Sequence, residues 1–79
     1  MLILENVVKK DNKITANYSF PGIDVIGDVV YDVQKSEISE AHFGDYEPKE
    51  VYGFYHLKKA LQMMVRYNKF PKRYEYFWY

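Results

Sequence analysis

The sequence predicts an α+β fold, a single antiparallel sheet in the order β-β-β-β-α-β with one long helix packed on one face. Three observations carry this prediction. Apolar residues alternate with polar ones at period two through the first half, the mark of half-buried strands. They then recur on one helical stripe between Pro48 and Asn68. After Pro71 the chain ends in an aromatic, strand-like run. The 79 residues, 48% hydrophobic and 28% charged, have the balance of one small globular domain over 1–79 and argue against disorder.

The elements follow in order. Leu2 to Lys9 is apolar and β-branched enough for a first strand, and Lys10-Asp11-Asn12-Lys13 supplies a tight turn. Next, Ile14, Ala16, Tyr18 and Phe20 face one way, with Thr15, Asn17 and Ser19 opposite, so the two runs should pair as a hairpin. Pro21-Gly22 ends the second strand. Alternation resumes from Ile23 to Gln34, with Val25, Val29, Tyr31 and Val33 on one face and Asp24, Asp28 and Asp32 on the other. Gly27 marks a bulge or kink in that long run.

Lys35-Ser36 reads as a two-residue reversal before a fourth strand, Glu37 to Phe43. There Ile38 and Phe43 cannot share a face without a register break. The helix expected over Pro48 to Asn68 buries Phe54, Leu57, Leu61, Met64 and Val65. Asp45 or Glu47 serves as its cap, and Pro48 suits its first turn. Glu47 and Glu50 at its start and Arg66 and Lys69 at its end complement the dipole. Pro71 stops it.

Composition removes several function classes. There is no cysteine, which excludes disulfide scaffolds, cysteine-held zinc, iron–sulfur clusters and thiol catalysis. No apolar run approaches the roughly 18–20 residues of a membrane helix, and the Met1 stretch does not read as a signal peptide. A cytoplasmic chain that binds no membrane is the expectation. Eleven basic residues balance eleven acids, but unevenly: 1–50 holds five Lys and ten acids, and 51–79 holds six bases and Glu75 alone. Such asymmetry points to a polyanion partner or self-association, or merely to two halves that fold together.

No catalytic residues emerge. His42 and His56 are the two histidines, but no triad spacing, HExxH or phosphate loop accompanies them. Asp24, Asp28 and Asp32 would lie about 13 Å apart along a strand, too far to share a metal ion, so neither metal nor cofactor is expected. On the helix, Tyr52, Tyr55, His56, Lys59, Met63 and Arg66 fall outside the core stripe, which suits either a contact surface or the wet rim of the helix–sheet seam. In the tail, Tyr74, Tyr76 and Trp78 share one face, leaving Phe77 and Tyr79 with Glu75 on the other. Either the tail is a central strand that supplies core, or a partner covers its second face.

Three functions compete. The first is a non-catalytic protein-interaction or self-associating domain, a homodimer being one form, with Phe77, Tyr79, Tyr52 and Tyr55 as its interface. The second is nucleic-acid binding through Lys58, Lys59, Arg66, Lys69, Lys72 and Arg73, with zero net charge counting against it. The third is a small enzyme or ligand binder using His42 or His56, disfavoured by the absence of a motif. The first reading is preferred.

Overall fold

A computed structural model describes residues 1–78. It contains one five-stranded antiparallel sheet and one helix. The strands are β1 (Leu2–Lys10), β2 (Lys13–Ser19), β3 (Gly27–Asp32), β4 (Glu37–His42) and β5 (Arg73–Tyr76), with α1 (Phe54–Tyr67) between β4 and β5. Their order across the sheet is β4-β3-β2-β1-β5. The tail therefore returns to the sheet beside β1 as an edge strand, not a central one.

The inward set of the hairpin is as expected. Ile14, Ala16, Tyr18 and Phe20 are all buried, joined by Leu2, Leu4 and Val7 from β1 and by Val29, Tyr31 and Phe43. Val7 breaks the parity of Leu2 and Leu4, and a bulge lets it face inward. The β1–β2 register shifts between Glu5 and Val8, with Asn6 in the left-handed region at φ 54°. Asparagine tolerates that conformation because its short amide bonds locally; here it donates to Asn17 Oδ1 at 2.9 Å.

The same device resolves the fourth strand. The β3–β4 register shifts between Val30 and Tyr31, leaving Ser39 unpaired and donating to the Val30 carbonyl at 3.3 Å. That extra residue puts Ile38 and Phe43 on the core side together. The third strand is shorter than the alternation implies. Ile23–Ile26 lie outside any strand, and regular pairing begins at Gly27. Asp24 thus leaves the acidic row, while Asp28 and Asp32 remain on the outer face.

The helix is the larger correction. Pro48–Glu50 form a separate 3-10 turn, and α1 begins only at Phe54. Gly53 is its N-cap at φ 97°, with no side-chain cap, so neither Asp45 nor Glu47 caps α1, and its first turn has no acid. The cause is tertiary. A Cβ on Gly53 would lie 2.8 Å from the Phe20 ring and 3.3 Å from Trp78. Close approach and left-handed backbone together require glycine there and break the helix. At the far end Asn68, also left-handed, closes α1, and the Lys69 N–H donates to the Met64 carbonyl. Leu57, Ala60, Leu61 and Met64 are buried against the sheet, while Phe54 and Val65 are partly buried.

Candidate interaction surface

The core face of a five-stranded sheet is about 20 Å wide between its outer strands, and one helix covers about 10 Å of it. On the β5 side the tail fills the gap. Trp78 stacks on His56 with ring centres 4.0 Å apart and planes at 8°, and Tyr76 lies beside both. Burial together with the nearby Lys59 charge pushes the His56 pKa down. On the β4 side an open groove of about 610 Å³ remains, lined by Ile38, Ala41 and Phe54 with charges of both signs around it.

The opposite face of the sheet carries a polar row that satisfies itself, beside Ile3, the exposed Val8 and Val30. One row crosses all five strands: Arg73 opposite Glu5, Glu5 opposite Asn17, Asn17 opposite Asp28 and Asp28 opposite His42. Asp28 and His42 meet at 2.7 Å, which raises the His42 pKa through the hydrogen bond and the adjacent carboxylate. Asn17 donates to the Gly27 carbonyl, and Arg73 pairs with Glu5 and with Glu75. Both members of the Asp28–His42 pair are exposed, and among the described residues no serine hydroxyl bonds to it. Nor does any group of three or more His, Asp or Glu among the described residues converge as metal ligands.

Apart from Val8 on the open face and Tyr67 at the close of α1, the exposed large apolar groups among the described residues gather at one end of the strands. There β1 and β3 begin, β2, β4 and β5 end, and the 43–53 connection delivers the start of α1. Met1, Ile26, Tyr46, Tyr52 and Phe77 all stand exposed at this end, Tyr52 at 84% and Ile26 at 72%. Tyr55 follows in the first helical turn, under the Lys59 ammonium at 4.8 Å. Of the residues the sequence singles out, the structure places Tyr52, Tyr55 and Phe77 at this end, Phe77 exposed just beyond the end of β5. Tyr79 lies outside the described residues. Ile26 and Tyr46 were not evident from sequence. Ile26 reads as part of a strand, and Tyr46, against the buried Phe43 at 5.8 Å, stands in a connection without periodicity.

Charge divides along the same axis. The aromatic end is net acidic, with Asp24, Asp28, Asp45, Glu47 and Glu50 against Lys49 and the Met1 α-ammonium, five acids to two cations. The other end, made of the β1–β2 and β3–β4 turns and the close of α1, carries Lys9, Lys10, Lys13, Lys35, Arg66, Lys69 and Lys72. Against these seven stand Asp11, Asp32 and Glu37, giving +4. The six cations named as a nucleic-acid face are spread along the molecule. Lys58 borders the β4 groove, Lys59 lies over Tyr55, Arg73 is paired on the open face, and only Arg66, Lys69 and Lys72 reach the basic end.

Comparison with family models, with curated proteins and with solved structures returns no match. No helix among the described residues is long and apolar enough to cross a membrane.

Proposed function

We propose that this chain is a non-catalytic protein-interaction domain whose contact surface is the acidic, aromatic end of the sheet. The observation that carries the reading is the gathering of Met1, Ile26, Tyr46, Tyr52 and Phe77 at one end, five of the eight large apolar side chains exposed among the described residues. Large aromatic side chains rimmed by charge are the composition of partner-binding surfaces, since each offers much apolar area at small entropic cost. The test is a photo-crosslinking residue placed at Tyr52 or, on the open face, at Thr15, in the cells that make the protein. Adducts should form from position 52 and not from 15, and the double variant Tyr46→Ser/Phe77→Ser should lose them while melting like the parent. Equal adducts from both positions would defeat the reading.

Nucleic-acid binding is the second reading, favoured by the seven cations at the opposite end. Its affinity would fall steeply with salt. It ranks below the first because that end offers three acids among its cations and few exposed rings for stacking.

A further inference from the structure

We propose that copies of this chain associate head to tail, the basic end of one docking on the acidic, aromatic end of the next. This rests on the reading of the acidic end as the contact surface and names its occupant. The two ends carry net charge of opposite sign, and they lie at opposite ends of the strands. A second copy therefore carries the complement that the acidic end calls for, and two like ends repel.

The apolar part of the match is equally specific. Lysine stems cover aromatic surface while their ammonium groups stay solvated. The chain already makes this contact within itself, with Lys59 over Tyr55 at 4.8 Å and Lys9 over Phe70 at 5.7 Å. Lys10, Lys13 and Lys35, exposed on the two turns of the basic end, offer the same contact outward to Tyr46, Tyr52 and Phe77 of the next copy. Because the two surfaces differ, the contact is heterologous. It adds one copy at a time and does not close as a two-fold dimer.

The experiment is sedimentation of the intact chain at about 0.01 M and about 1 M salt, where the screening length falls from about 30 Å to about 3 Å. At low salt the average mass should rise with concentration in single-copy steps, and the apparent Kd should weaken by at least about tenfold at high salt. Two triple variants then separate the ends, K10E/K13E/K35E at the basic end and D45K/E47K/E50K at the acidic end. Each alone should remain monomeric at low salt, and their mixture should regain association. Thermal melts confirm that both variants fold, and the salt series of the parent stands whether or not they do. A parent that stays monomeric at low salt overturns the proposal, and so does a dimer that persists unchanged at high salt. A mixture of folded variants that fails to associate overturns it too. A monomeric parent that still gives Tyr52 adducts with another protein would sink self-association alone, while absence of those adducts would sink the interaction reading itself.

Discussion

Replacing Gly27 by alanine adds one methyl group to the molecule, and its cost can be worked from the neighbours. The glycine does not occupy the left-handed region, so alanine meets no backbone penalty there. In the unfolded chain alanine has fewer conformations to lose, which favours the variant by about 0.4–1 kcal/mol. Space is what opposes it. The new carbon would fall within contact distance of the His42 carbonyl oxygen and 2.8 Å from ring atoms of both Phe43 and Tyr18. Those rings stack on each other at 5.3 Å and are almost wholly buried, so neither can swing away. The carbonyl belongs to β4 where His42 pairs with Asp28, and moving it opens the end of that ladder.

Overpacking of this kind costs about 1–3 kcal/mol, and backbone as the obstacle places Gly27→Ala near the upper part of that range. A net loss of about 2 kcal/mol corresponds to a fall in Tm of about 8–16 °C for a domain of this size. Urea and thermal melts measure the loss. Hydrogen exchange locates it, since the amides of Ala41–Phe43 should lose protection before those of β1 and β2. A variant as stable as the parent would refute the reasoning, because β3 would then not begin against His42 and Phe43.

Leu61→Ala, at a fully buried position under the helix, should cost about 2–5 kcal/mol, a large share of a total of about 5–10, and a parent-like melt would mean the helix register is wrong. The Tyr18 hydroxyl is buried without a hydrogen-bond partner among the described residues, so Tyr18→Phe should raise stability by about 1 kcal/mol by urea melts. Burial, with Asp28 adding to it, pushes the Tyr18 pKa up to about 12 from 10.0, so its contribution holds below pH 10 and is lost as pH rises toward 12, a loss Tyr18→Phe should abolish. The histidines should titrate oppositely by NMR. His42, raised by Asp28, contributes stability present below its ordinary value of 6.5 and lost as pH rises through its folded value. His56, lowered by burial and Lys59, contributes stability present above 6.5 and lost as pH falls, and titration of the two in the reverse order would contradict both assignments.

How much of this was legible in sequence depends on whether the cause is local. Alternation in Ile14–Phe20 and the helical stripe through Leu57, Leu61 and Met64 are local, and they gave the fold class and much of the core. The parity conflict between Ile38 and Phe43 was visible too, though not that Ser39 absorbs it. The helix start was not legible. Glu47-Pro48 carries a valid start signal and does begin a turn, but Phe20 and Trp78 close on Gly53 from distant positions and restart the helix there. Face assignment in the tail follows from period two alone, while its place at the sheet edge depends on which strand it pairs with. The charged ends were hidden for a related reason. Antiparallel strands interleave the chain, so Lys9 to Lys13 from the acidic half join Lys69 and Lys72 from the basic half at one end.

The edges of the sheet bear on where a partner would bind. An unpaired edge strand invites another strand, and both edges here carry the features that discourage it. β4 is interrupted by its bulge at Ser39 and carries Glu37 and Glu40, and β5 is only four residues long and begins at Arg73, two residues after Pro71. The open face is no better a target, because its row from Arg73 to His42 already spends its charges and amides on one another, and a partner would have to replace those bonds to gain from contact. The acidic end differs on both counts. Its tyrosines stand in water with apolar area still to bury, and its carboxylates Asp45, Glu47 and Glu50 form no ion pair among the described residues. A cationic surface gains there without first breaking anything, which is why the proposed contact runs along the strand axis and not across the sheet.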